Sequence, residues 1–409
     1  MMNHFFSARA STALVTGLAV LATAAGCDLA VAADLPLITK AAPLAPADPG
    51  QFWVGMDYLA WSVKGDRLPA LVTTSPPGTP LAQAGMLGPP GTTVLFGDSS
   101  VNGGWRSGGR LRAGYWFDPR HDTGIEASFF GLQQASSGFS ASSAGTPILA
   151  RPFLDATTNL QSSSLIAFPG LLSGSVTANE TSRLYGAGAL YRQEIGSSAG
   201  ASSAPWGTTR FSALVGYRFL HASDRLDISS TSTVSAGGLI PAGTVFAPSD
   251  SFHASSNFHG LDLGIVGETS NGPWTLEWRA KLALGANINN AQVNGSTTII
   301  TAGGVSTTSP GGLLALSSNI GNTTQTRFAA VPDFAVKGGY QFAPVWRVVA
   351  SYELLYWTGV QRAGGLIDTT VNPNLLPPAV AGGPQRPQRQ FDTSSLLAQG
   401  FSVGIKHEF

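Results

Sequence analysis

Charged residues make up only 11% of this 409-residue chain, against about 25% in an ordinary soluble domain, so each one that does occur is informative. Several recur two apart: Arg110 with Arg112, and Glu277 with Arg279 and Lys281. On a helix that spacing points side chains apart, whereas on a strand it puts them on one face. Read this way, Arg110, Arg112, Arg218, Arg279, Lys281, Lys337, Arg347 and Lys406 share a face with Glu126, Asp262, Glu277, Asp333, Glu353 and Glu408. Such a set either pairs across strands and fills an interior, or lines water and biases which ions pass. A different chemistry, hydrolysis by an Asp/His pair, would need Asp224, Asp227, Asp250 and His253 to converge at one rim. His253 and His259, six apart, are a candidate metal pair. Solvated loop or rim positions are the plainer reading of all five. No nucleotide loop, zinc spacing or nucleophile elbow occurs, so neither an enzyme nor a cofactor is expected.

The elements that must carry these charges are read by period two. Trp274–Asn289 sets Trp274, Leu276, Trp278, Ala280, Leu282, Leu284, Ala286 and Ile288 against Glu277, Arg279, Lys281 and Asn287, with no clean helical stripe. The same alternation runs through Gly104–Phe117, Asp122–Leu132, Arg210–Leu220, Phe258–Glu268, Pro332–Phe342, Val345–Trp357 and the terminal Phe401–Phe409. Phe52–Trp61 and Arg183–Arg192 alternate less cleanly. These ten segments are joined alternately by short links (118–121, 196–207, 271–273, 343–344) and long ones (64–103, 135–178, 221–257, 290–325, 359–390). Short turns at one end and long loops at the other are the pattern of an outer-membrane β-barrel, whose closed sheet pairs every backbone group. Beyond residue 32 no apolar run reaches 18 residues, so a transmembrane helix is not expected.

The expectation is therefore an all-β fold: one antiparallel transmembrane barrel of about ten strands with long extracellular loops. Hairpins hidden in 228–252 or 293–308 would raise the count to twelve or fourteen. Trp105, Tyr115, Phe117, Trp274, Trp346, Tyr356 and Phe409 fall near strand ends on the apolar face, as in interfacial aromatic girdles. A charge facing lipid at mid-depth costs about 2–4 kcal/mol, so the charged face is expected to be the lumen. The eight cations there exceed the six anions, which predicts a weak anion preference if the barrel conducts.

Residues 1–32 read as a secretory signal peptide: an apolar Ser11–Gly26, then an Ala30-Val31-Ala32 cleavage site. Ala24-Ala25-Gly26-Cys27 is a weak lipoprotein box. Without lipidation, the one cysteine leaves with the signal. Residues 33–50 form a Pro/Ala-rich linker and 51–409 the barrel. With 23 basic and 23 acidic residues the formal charge is zero, which argues against a nucleic-acid partner. The expected partners are outer-membrane lipid and the barrel-assembly machinery, which reads a terminal strand ending in Phe409.

Four blocks resemble a family of β-barrel porins labelled BBP7, known mainly from planctomycetes. They are Trp61-Ser62-Val63-Lys64-Gly65-Asp66, then Leu68-Pro69-Ala70-Leu71-Val72-Thr73-Thr74-Ser75-Pro76, Gly91-Thr92-Thr93-Val94-Leu95-Phe96-Gly97 and Val371-Asn372-Pro373-Asn374-Leu375-Leu376-Pro377. With the strands between them the resemblance covers roughly Phe52–Phe409, and it implies an outer-membrane barrel. The leading functional expectation is a porin-like channel for small hydrophilic solutes. The alternative is a closed barrel acting through its loops as a surface structural or adhesion protein.

Overall fold

The computed structural model describes residues 51–198, 207–235, 240–380 and 382–409. The signal-peptide, linker and Cys27 expectations lie outside the described residues. Ten strands form the wall: β1 Phe52–Val63, β2 Gly104–Trp116, β3 Thr123–Leu132, β4 Leu172–Ser198, β5 Thr208–Val234, β6 Val245–Asn271, β7 Trp274–Ile300, β8 Gly321–Ala343, β9 Trp346–Gln361 and β10 Thr393–Glu408. Each pairs antiparallel with its neighbours in sequence, and β10 pairs with β1, so the sheet closes. Closure leaves the ring without a free edge. Trp53 stands opposite both Gly114 of β2 and Glu408 of β10, which fixes the register at the closing seam.

Near the turn end the apolar parity faces outward. Leu282 is 42% exposed, Leu263 42% and Val403 57%, all within well-paired strands. Exposed apolar side chains in this number suit lipid and not water. Trp105 and Tyr115 on β2 lie ten residues apart, as do Trp346 and Tyr356 on β9. That matches the about 9–11 residues a tilted strand needs to cross a bilayer.

Strands β4 to β7 are 27 residues long, far more than a crossing requires. Much of the sequence expected as long loops is therefore strand. Residues 228–234 and 245–252 are indeed paired, but as the continuations of β5 and β6, so the ring keeps ten strands. Residues 296–300 likewise pair with Ser306–Pro310 as a hairpin tip on β7. Ala135–Ser143 continues the wall beyond β3, along β4.

Beyond the aromatic girdle the alternation inverts. Val176, Ala178, Leu226, Ile228, Phe252, Ala254, Ala291 and Val293 now point inward and are buried, while Ser, Thr and Asn take the outer face. Against that inner face pack segments from four of the long connections. Their strands Val72–Thr74, Thr93–Phe96, Leu149–Asp155, Leu160–Ala167 and Thr370–Val371 make a small second sheet. Leu313–Leu316 adds an apolar wedge. The wedge is tied down by Asp250 of β6, whose Oδ1 accepts from the amides of Leu313, Leu314 and Ala315 at 2.8–3.1 Å. Its Oδ2 meets Arg151 at 2.7 Å, and both side chains are buried. The loop side is thus a folded head with its own core. The four blocks that carry the family resemblance lie mainly in it.

Candidate functional site: the barrel interior

Three layers succeed one another along the lumen. The turn-end layer is a cavity of about 230 Å³. Trp53 and Trp116 project into it, and each needs a glycine beside it: a Cβ on Gly114 would sit 2.5 Å from the Trp53 ring, and one on Gly124 would sit 2.7 Å from Trp116. Lys406 Nζ lies 4.7 Å from the Trp53 ring centre and the Arg192 guanidinium 5.2 Å from that of Trp116, both within cation–π range.

The second layer is ionic. Arg110 reaches Asp57 of β1 at 2.8 Å and grips Glu353 of β9 through both terminal nitrogens at 2.5 Å. Arg112 holds the same Asp57 at 2.8 Å. Arg218 of β5 bridges Asp262 at 2.8 Å and Asp333 of β8 at 3.0 Å. Lys281 sits 3.7 and 3.5 Å from those two acids. Arg279 of β7 forms a close ion pair with Glu126 of β3, four strands away around a ring of ten. Its second acid is Glu277 at 3.4 Å, which Lys337 holds at 2.9 Å. The Arg110–Glu353, Arg218–Asp333 and Arg279–Glu126 contacts are struts across the lumen, since side chains on non-adjacent strands meet only through the interior; the other pairs lie within one strand or join neighbouring strands.

The third layer is apolar. Leu59, Trp61, Leu184, Leu220, Phe258, Val331, Leu355, Trp357 and Leu396 form one buried cluster inside the ring. Trp357 is fully buried and donates its indole N–H to Asn287 at 2.9 Å. Between this layer and the ionic one lies a cavity of only about 70 Å³. The head's core follows directly above.

Of the charges read from sequence, Arg110, Arg112, Glu126, Arg218, Asp262, Glu277, Arg279, Lys281, Asp333, Lys337 and Glu353 meet in this network. Lys406 and Glu408 pair with each other at 2.7 Å beside the turn-end cavity, and Arg347 lines it. Sequence reasoning missed Asp57, Arg192 and Glu268. Asp57 stands in a strand whose inner face reads Trp53, Asp57, Leu59, Trp61 as it passes from mouth to apolar layer, which hides the polar parity. Arg192 and Glu268, 3.3 Å apart, lie at strand ends. Adding them shrinks the cation excess from two to one, and every one of these charges except Arg347 is already paired among the described residues. The expected anion preference loses its basis.

The Asp/His group does not assemble. Asp224 and Asp250 point inward and are taken by Arg362 and Arg151, whereas Asp227 pairs with Arg225 on the outer face at 2.8 Å. His253 and His259 are six residues apart on β6, about 20 Å along a strand. His259 is occupied instead by the Tyr217 hydroxyl at 2.5 Å.

A second buried cluster, unforeseen from sequence, joins barrel to head. Asp66, Glu180 and Asp224 gather around Arg362 and Arg106. Arg362 forms a close ion pair with Asp224, Asp66 accepts from the Gly364 amide at 2.7 Å, and Asn102 donates to Glu180 at 3.2 Å. Burial, reinforced by its acidic neighbours Asp66 and Asp224, pushes the Glu180 carboxyl up to about 9, and burial raises Asp66 to about 6. A lone acid or arginine on a long connection gives no sign of such a meeting. It exists only because the connections at 64–68 and 362–366 dock together on β4 and β5.

A family model described as "Putative beta barrel porin-7 (BBP7)" matches residues 53–409. The chain belongs to this family. It is an all-β barrel of the outer-membrane kind, and BBP7 members are named for that architecture. Among solved structures it is similar to the outer membrane protease OmpT from Escherichia coli, at 10% identity over 88% of this chain and 97% of that one, TM-score 0.38. It is also similar to a Pseudomonas aeruginosa FadL homologue (9%, 88% and 91%, TM-score 0.21) and to the Ralstonia pickettii toluene transporter TbuX (8%, 89% and 90%, TM-score 0.15). Scores this low carry no weight for activity. No curated protein matches the sequence.

Proposed function

We propose that this BBP7 protein is an outer-membrane barrel whose lumen is closed at rest, and whose work is done by its folded head as a surface structural or adhesion element. One observation carries the reading: the Arg279–Glu126, Arg110–Glu353 and Arg218–Asp333 struts cross the lumen beneath a continuous apolar layer. Opening a path for water would strand charges and expose Phe258 and Trp357, which is expensive on both counts. No catalytic role is included, since Asp224 and Asp250 are held inside by Arg362 and Arg151, and Asp227, on the outer face, is held by Arg225. Export with cleavage near Ala32, and recognition of the strand ending in Phe409 by the assembly machinery, complete the proposal.

The porin reading, passive diffusion of small hydrophilic solutes, keeps support from the family's description and from the turn-end cavity. A liposome-swelling assay separates the two. Closed proteoliposomes should swell in arabinose no faster than protein-free vesicles. Swelling that rises with protein content would favour the porin.

A further inference from the structure

The turn-end cavity holds one cation too many. Arg192 is matched by Glu268, Arg279 by Glu126, Lys337 by Glu277 and Lys406 by Glu408. Arg112 and Arg210, also in its lining, are held by Asp57 and Glu194. Arg347 alone among the lining cations has no acid within 4 Å among the described residues, and its buried Nε has no hydrogen-bond acceptor. It is placed there by design of the sheet: Gly339 on the facing strand leaves room for its stem, since a Cβ would sit 2.9 Å from Arg347 Cδ. Lys406 is its register partner on β10.

From this arrangement we infer that the cavity is a binding site for a small oxyanion of phosphate size, entering from the turn end and held by the Arg347 guanidinium. A guanidinium fork matches the paired oxygens of a phosphate, and Arg347 is the lining cation that no acid pairs with among the described residues. A volume of about 230 Å³ admits a phosphate with a few waters. The neighbouring pairs close the site to cations, because every acid that lines it already has a partner. The inference goes beyond the closed-barrel reading and does not need it, since a conducting barrel could hold the same anion at its mouth.

Inorganic phosphate is the probe, titrated calorimetrically into the detergent-solubilised protein at constant ionic strength set with chloride. Saturable binding is expected, weakened tenfold or more in Arg347→Gln and unchanged in Arg225→Gln, whose guanidinium lies on the outer face of the head. Phosphate should also raise the melting temperature of the wild-type protein over chloride alone, a readout that survives if Arg347→Gln fails to fold. Absence of saturable binding, or equal affinity in Arg347→Gln, would overturn the assignment.

Discussion

The Arg279–Glu126 strut makes an asymmetric prediction. Glu126→Gln leaves Arg279 beside Glu277 at 3.4 Å, so the guanidinium keeps an acid and the cost should be about 1–2 kcal/mol. Arg279→Met is different, because Glu126 has no other cation within 4 Å among the described residues. A stranded buried charge typically costs about 3–5 kcal/mol. A carboxylate has an escape, however: it can take up a proton. Neutralising a Glu of ordinary acidity, about 4.3, at pH 7 costs about 3.7 kcal/mol at 1.36 kcal/mol per pH unit, and at pH 5 only about 1 kcal/mol. Arg279→Met should therefore lose about 3–4 kcal/mol at pH 7 and recover most of it at pH 5. The double variant Glu126→Gln/Arg279→Met should be no worse than Arg279→Met alone, giving a coupling energy of at least about 1–2 kcal/mol. Urea unfolding in phospholipid vesicles, followed by tryptophan fluorescence at both pH values, measures all four proteins. Equal, pH-independent costs for the two single variants would mean that the strut does not exist as described.

Facing supplies a second test. Leu282→Arg puts a charge into lipid and should cost about 2–4 kcal/mol in the same assay, whereas Lys281→Gln should cost under about 1 kcal/mol, because Arg218 still serves Asp262 and Asp333. Equal losses would refute the register. For the head, a Glu180 held near 9 binds its proton more tightly folded than unfolded. Its contribution is full below the ordinary glutamate value and is lost as pH rises towards 9. Protease resistance of the head should fall from pH 5 to pH 9 and fall less in Glu180→Gln, where Asp66, raised to about 6, still titrates; a wild-type profile already flat would contradict the buried cluster. Asn372 is buried, donating to the carbonyls of Gly382 and Pro384 and accepting from Asn374, so Asn372→Ala should expose residues 373–389 to proteolysis while barrel melting stays unchanged. A shift in barrel melting would mean that head and barrel unfold as one.

The barrel was legible where a single rule governs the chain. Between the girdles, lipid demands apolar side chains on one parity, and Trp274–Asn289 obeys without exception. Past the girdle the solvent changes sign. Water lies outside and a protein core inside, so Leu226 and Ile228 turn inward while Asp227 and Ser229 turn out. The alternation persists with its phase exchanged, and Ser- and Thr-rich segments such as 229–233 then read as loop. The charge layer was half legible. Period two names the charges that face the lumen but not their partners, because Arg279 meets Glu126 across 153 residues of sequence. Asp57 was lost to the Trp and Leu that share its parity. The apolar plug escaped notice for a related reason: Trp61, Phe258 and Trp357 each look like ordinary strand residues until the closed ring brings them together.

Single-channel recording in planar bilayers tests the central claim most directly. The purified, reconstituted wild-type protein, in symmetric KCl with either polarity of voltage, should show no stable conductance steps above the bare membrane. Regular, ohmic steps of uniform size from the wild-type protein would contradict the closed lumen and restore the reading of a diffusion pore.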